Sequence, residues 1–386
     1  MTTKIITLKK RIVLIDALRG YALLGLFIVH MVEYFELYWY NPQPSAYKDL
    51  AFGIFGGKAY AIFALLFGLS FFIIMDSKKQ QGIDFKGRFI WRLILLLIFG
   101  LLHSVIYGGD ILQILAITGL FLIPIYPLRN GLLLFLAFLL LLQVPAIVCF
   151  LMSDIRNSTE PLHWSQMATV HNVYANGSFT DVVRMNTIDG FFAKWVCSAE
   201  SGRLSTITGM SFFGFWLGKI GFFKEDGLFK AKYKTYFLMS LVATVIVYFG
   251  KSYLYEFINP NGYWLVNSIL NNYTNLVYIA FSVLTFVYLF QIDVFHKVLS
   301  HLAAPGRMSL TIYIFQSLVF VPIFYGYGLN AFTYLGQAWS FFLGIILFMV
   351  QIWLAKLWFK NYYYGPLEWI WRSATYLRSD IKFKRI

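Results

Sequence analysis

Ten long apolar runs leave this chain very few folds to choose from. They cover residues 18–38, 51–75, 89–107, 111–127, 131–152, 204–223, 235–256, 273–291, 308–328 and 338–359. An α-helix needs about 20 mostly apolar residues to cross the hydrocarbon core of a bilayer. Inside lipid, only helices and closed barrels satisfy their own backbone. Composition points the same way, since 59% of the 386 residues are hydrophobic and 13% are charged. Soluble domains carry roughly 45–50% and about 25%, so too little polar surface remains here to cover a water-soluble core. The chain reads as an all-α polytopic membrane protein of about ten transmembrane helices, with residues 1–386 forming a single transmembrane domain. The fourth run is short, bounded by Asp110 and by Pro124 and Pro127.

A net charge of +14 suggests nucleic acid when a protein is soluble. Membrane proteins also collect Lys and Arg in cytoplasmic loops, and the position of the charges decides between the two. With the N-terminus inside, the segments on that side hold 25 of the 32 basic residues, the opposite segments hold six, and Lys58 lies within a helix. Both termini are therefore expected in the cytoplasm, in a multi-pass protein of the cell inner membrane with no nucleic-acid partner. Asp16 and Arg19 interrupt the first run and no small-residue cleavage pattern follows, so a cleaved signal peptide is not expected. The polar loop 153–203 is extracytoplasmic on this topology. It is expected to fold as short amphipathic pieces over the outer mouth, with Trp164 and Trp195 equally suited to anchoring at the interface. Cys149 and Cys197 have no metal or redox spacing.

Ionisable side chains inside spans are costly and mark function by default. On this topology they form two layers. The outer layer holds His30 and Glu33, one turn apart on one face of the first helix, with Lys58, His103 and Asp110. His103 and Asp110 flank a Gly108-Gly109 turn that brings two helix ends close. A carboxylate beside an imidazole fixes its tautomer and raises its basicity, as general base catalysis requires. Asp110 equally suits an N-cap, His103 a structural hydrogen bond, and Lys58 a snorkelling position. The inner layer holds Asp16, Arg19, Arg88, Arg92, Arg307 and Arg372, with Glu368 four residues before Arg372 in the favourable order for a helical ion pair. Trp369 and Trp371 suggest a segment lying at the interface. Arginines suit an anionic, phosphate-bearing ligand, and inner arginines are also what topology alone requires. Phosphate-loop, nucleophile-elbow and zinc-protease motifs are missing, and the six histidines do not cluster as metal ligands, so no metal site is expected.

Five stretches carry a resemblance. Arg11-Ile-Val-Leu-Ile-Asp16-Ala-Leu-Arg19-Gly20, Leu65-Leu-Phe-Gly68 and Gly100-Leu-Leu-His103 with Gly109-Asp110 resemble YeiB-like bacterial membrane proteins, a family of unknown function. So do Gly306-Arg307-Met-Ser-Leu-Thr311 and Gly365-Pro-Leu-Glu368-Trp-Ile-Trp-Arg372. That family is similar to transmembrane acyltransferases, among them the lysosomal glucosaminide acetyltransferases and the family-3 membrane acyltransferases. In the latter, a D-x-L-R motif is followed at fixed distance by an essential histidine. Asp16-Ala-Leu-Arg19 and His30 match that spacing, whereas the YeiB-like pattern has Asn there. The histidine that the lysosomal enzymes carry after the first helix has no counterpart between 31 and 50.

The resemblance implies transfer of an acyl group, acetyl above all, from cytoplasmic acetyl-CoA or another acyl-CoA to an extracytoplasmic acceptor. The acceptor could be a glycan, a lipid or a small molecule. Asp16, Arg19, Arg92, Arg307 and Arg372 would face the CoA phosphates. His30 or His103, with Glu33 and Asp110, would serve as base or acyl carrier, and a Tyr or Gln316 would steady the oxyanion. Membrane lipids surround such a protein, and a homodimer is compatible with it. The alternative is a proton-coupled transporter or flippase, for which the short fourth helix would be a broken span. A structural membrane subunit is the third.

Overall fold

The computed structural model describes residues 12–152, 161–223, 228–258 and 264–385, and it is helical almost throughout. Among the described residues there is no strand, and an isolated bridge joins Tyr362 to Lys384. The basic run Lys4 to Arg11, the first part of the 153–203 loop and Lys224 lie outside the described residues, as does the side chain of Cys149.

The first half comprises α1 (Val13–Val32), α2 (Ala46–Ile54), α3 (Ala59–Lys79), α4 (Lys86–Ser104), α5 (Leu112–Ile125), α6 (Asn130–Leu141) and α7 (Val144–Met152). Next come α8 (Leu162–Asn176), α9 (Phe179–Arg184) and α10 (Ala193–Glu200), three short helices within the polar loop. The second half comprises α11 (Arg203–Lys219), α12 (Leu228–Ile258), α13 (Trp264–Phe290), α14 (Asp293–Leu299), α15 (Ala303–Arg307), α16 (Ser309–Phe324), α17 (Gln337–Asn361) and α18 (Pro366–Tyr376).

Helix α1 is the central pillar. It packs against α3, α15, α16 and α17, and Leu18, Leu23 and Phe27 are buried in the main core with Val287 and Phe324. Its most apolar stretch is 67% buried, against 6% for that of α12. A helix enclosed by protein can hold polar side chains away from lipid, whereas α12 presents Leu238, Val242 and Ile246 outward, as a lipid-facing helix does.

Among the described residues, six stretches are long and apolar enough to cross a membrane: Val13–Tyr40, Ala46–Lys79, Lys86–Ser104, Lys232–Lys251, Trp264–Phe290 and Gln337–Asn361. The other expected runs take shorter forms. Run 111–127 is the 14-residue α5, closing around Pro124. Run 131–152 splits at Gln143, whose φ of 56° turns the chain between α6 and α7. Run 204–223 is the 17-residue α11. Run 308–328 holds the 16-residue α16, bent 77° from Asp293–Arg307, and counting that bent pair as one span gives seven. Proline and left-handed residues break the i→i−4 ladder, which hydropathy along a window does not register.

Beyond α1, Tyr34, Phe35 and Glu36 have φ values of 50°, 52° and 83°. Three consecutive non-glycine residues in this region each cost roughly 1–2 kcal/mol. The turn is held by Phe35 N–H donating to His30 O at 2.8 Å and Tyr38 N–H donating to Glu33 O at 2.9 Å. Phe35 is fully buried, and the Tyr325 hydroxyl donates to its carbonyl at 3.2 Å. Such strain persists only where the surroundings over-determine it, which is common at functional sites.

Candidate active site

His103 lies in the last turn of α4, and Asp110 stands just before α5. The turn between them sets His103 Nδ1 2.8 Å from Asp110 Oδ1, with both side chains fully buried. The other carboxylate oxygen accepts the Gln113 N–H at 3.1 Å. Asp110 thus caps α5 and pairs with His103 at once. With Asp110 as a carboxylate both of its oxygens accept, which assigns the imidazole proton to Nδ1 and the lone pair to Nε2. Nε2 is buried and meets no hydrogen-bond partner.

Two tyrosines tie His103 to His30. The Tyr313 ring lies 5.1 Å from that of His103 and 6.4 Å from that of His30. Tyr107 lies 5.9 Å and 5.3 Å from the same two rings. His30 and Glu33 lie one turn apart at the end of α1. The strained turn follows Glu33, whose carboxylate accepts the Trp39 indole N–H at 2.8 Å. The Glu36 carboxylate accepts the Tyr107 hydroxyl at 3.4 Å. The glycines of the turn make room for this arrangement: a side chain at Gly109 would meet the Glu36 carboxylate and the Tyr107 hydroxyl, and one at Gly108 the Tyr174 hydroxyl.

Two cations complete this end. The Arg203 guanidinium lies 4.8 Å from the Tyr60 ring centroid, and its charge reaches His30, Glu33 and Glu36. Lys194, in the first turn of α10, is within electrostatic reach of Asp110 and Glu36. Burial holds its ammonium below the ordinary lysine range, with those two carboxylates opposing the shift. Glu36, Tyr107, Tyr313, Arg203 and Lys194 all escaped the sequence reading.

The arginine layer occupies the other end of α1. Asp16 and His30 are 14 residues apart, about 21 Å along a helix rising 1.5 Å per residue. Arg19 donates to Asp16 Oδ1 at 3.3 Å, Ser70 Oγ at 2.9 Å and Gly306 O at 3.5 Å, which ties α1 to α3 and α15. Helices α1 and α15 meet backbone to backbone there, because a side chain at Gly306 would strike the Asp16 carbonyl and one at Gly20 that of Leu302. Arg92 stacks 3.7 Å over Trp371 and lies within electrostatic reach of Arg19 and Arg372. Arg307 stacks 3.9 Å over Phe359. Three arginines remote in sequence therefore share one field.

Three expectations need correction. Glu368 turns to the N-terminus of α16, not to Arg372, accepting from Leu310 N at 2.7 Å, Thr311 N at 3.1 Å and Thr311 Oγ1 at 2.6 Å. Four open N–H groups at a helix start attract a carboxylate more strongly than one exposed guanidinium does. Lys58 does not snorkel, since its ammonium is buried and donates to the carbonyls of Phe52 and Gly56 at 2.9 Å each. The Gln316 amide donates to Gln351 Oε1 at 2.8 Å, which commits one of its two N–H donors elsewhere. Among the described residues no three metal-ligand side chains converge.

Comparison with known proteins bears on this geometry. Two family models share the chain. Residues 11–183 match the catalytic model of heparan-alpha-glucosaminide N-acetyltransferase, and residues 217–378 match a protein family of unknown function, DUF418. The chain is similar over most of its length to the uncharacterized protein YxaH of Bacillus subtilis (strain 168), at 28% identity over 95% of each chain. It is also similar to YeiB of Escherichia coli (strain K12), at 25% identity over 95% of this chain and 96% of that one. The YeiB-like resemblance read from the sequence is thus found by direct comparison. The first match includes Asp16, Arg19, His30, His103 and Asp110, and the second includes Arg307 and Arg372. Lys194 and Arg203 fall between the two.

Proposed function

We propose that this protein is a membrane-embedded acyltransferase. It moves an acyl group, acetyl foremost, from cytoplasmic acyl-CoA to a hydroxyl or amine acceptor on the other side of the inner membrane. The observation that carries this reading is the buried His103–Asp110 pair, which leaves His103 Nε2 without a partner. Nε2 is the atom that takes the acceptor proton, and Asp110 fixes the tautomer that frees it. His30 presents no carboxylate contact and lines the same aromatic enclosure, so the base role goes to His103. The match of residues 11–183 to the catalytic model of an N-acetyltransferase supports the choice of acetyl.

The reading also accounts for the arginine end. The phosphates of acyl-CoA meet Arg19, Arg92, Arg307 and Arg372, and the thioester extends along α1 toward His103. This requires the topology argued from charge, with ten spans and both termini cytoplasmic, the shorter helices α5, α6–α7, α11 and α16 completing the set. Transport is the weaker alternative, because neither comparison points to a carrier.

The test is transfer from radiolabelled acetyl-CoA by purified protein in liposomes, with candidate hydroxyl and amine acceptors enclosed. General base catalysis contributes typically 10²–10⁴-fold, so His103→Ala should lose at least about 100-fold. If His103→Ala transfers as well as wild type, or wild type transfers nothing, the reading is wrong.

A further inference from the structure

Lys194 is placed where nothing in ordinary folding favours it. It occupies the first turn of α10, at the positive end of a helix dipole where a cation is disfavoured. Its ammonium nitrogen is buried and has no hydrogen-bond partner, an expensive state for a charge. The nearest ring, Phe191, lies 5.2 Å from Nζ and offers no strong acceptor. Arg203 is different, since its guanidinium covers the Tyr60 ring at 4.8 Å from the centroid. The charge of Lys194 bears on Asp110 and Glu36, the carboxylates on either side of the histidine enclosure.

Among the buried polar atoms lacking partners are His103 Nε2 and Lys194 Nζ. One can accept a proton and the other can only donate hydrogen bonds. An acyl transfer needs this complement: a base for the nucleophile and a fixed donor for the oxyanion.

We propose that Lys194 is the oxyanion-stabilising residue of the acyl transfer, reaching the reacting carbonyl from α10 while His103 acts on the acceptor. This rests on the acyltransferase reading above. The acceptor O–H or N–H gives its proton to His103 Nε2 as its O or N bonds to the thioester carbon. The C=O π pair moves onto oxygen, and the resulting oxyanion takes the hydrogen bonds that Lys194 lacks in the resting site. Collapse re-forms the C=O and breaks the C–S bond, and the departing thiolate takes the proton from His103. Lys194 stays protonated throughout, and its charge matters most when negative charge has developed.

The experiment uses the full-length protein in liposomes and compares Lys194→Met and Lys194→Arg with wild type and His103→Ala. Loss of one oxyanion donor costs roughly 10²–10³ in kcat. Lys194→Met should lower kcat about 100-fold with the KM for acetyl-CoA and for the acceptor within about twofold, and Lys194→Arg should recover part of the loss. Removing an unpaired buried charge should leave the melting temperature unchanged or raised. If Lys194→Met keeps kcat while His103→Ala abolishes transfer, the inference fails and the acyltransferase reading stands. If Lys194→Met and Lys194→Arg both lower the melting temperature, Lys194 is a structural group and the inference also fails. If wild type transfers nothing, both fall together.

Discussion

His103 Nδ1 lies 2.8 Å from Asp110 Oδ1 in a contact closed to solvent, and the same carboxylate caps the next helix through Gln113. One side chain thus serves the proposed chemistry and the architecture, and substitutions can separate the two. Asp110→Asn keeps an acceptor for the Gln113 N–H but loses the charge that orients the imidazole. We expect transfer to fall by about 10²-fold or more with the melting temperature little changed. Asp110→Ala should lose transfer and also about 1 kcal/mol through the missing cap. Acyl-transfer rates beside thermal unfolding of the two variants check this.

Glu368 and Arg372, adjacent on α18, should respond in opposite ways. Glu368 holds three donors at the start of α16, so Glu368→Ala should cost roughly 1–2 kcal/mol of stability. Arg372 is exposed and stacks on Tyr364 and Tyr376. Arg372→Ala should leave unfolding unchanged and raise the KM for acyl-CoA by about tenfold. A KM unchanged in Arg372→Ala would remove it from the donor site.

The polar helices carry a pH signature. His171, on α8, is buried with Nε2 unpartnered, and burial pushes its pKa from the usual 6.5 down to about 4. The unfolded chain takes up a proton near pH 6.5 that the folded protein refuses. Stability is therefore complete above about pH 6.5, declines as pH falls toward about 4 and levels off below. By linkage the loss is of order 3 kcal/mol. Melting temperatures at pH 7.5 and 4.5 should differ less for His171→Gln than for wild type; an equal difference would contradict the assignment.

Sidedness can be read chemically. In a Cys149→Ala, Cys197→Ala background, Asn176→Cys should react with a membrane-impermeant maleimide applied outside intact cells. Lys382→Cys should react only after permeabilisation. Both positions are exposed, so a reversed result would overturn the charge-based orientation.

The sequence shows the His103–Asp110 pair because both partners sit on one short turn, marked by two glycines and a change from apolar helix to acid. It shows the arginine end because positive charge accumulates at helix starts. Tyr313 and Arg203 were not legible, since each reaches the site from a helix about 100 to 200 residues beyond His103. No local pattern sets one tyrosine among 26 apart. Glu36 was missed for another reason. Its position depends on three left-handed residues, and Tyr34-Phe35-Glu36 contains no glycine to announce them. The broken spans were invisible because hydropathy sums over a window, whereas Gln143 turns the chain at a single residue.

The glycine contact between α1 and α15 has a consequence for reach. With no side chain between Gly20 and Leu302, or between Gly306 and Asp16, the two backbones touch directly and set the spacing of the pillar from its neighbour. The pillar works as a fixed ruler, with Arg19 at its zero mark and His30 near the far end. A donor anchored by its phosphates at the arginines can present a thioester to His103 only if its arm matches that length. Donors with a shortened arm would bind and go unused.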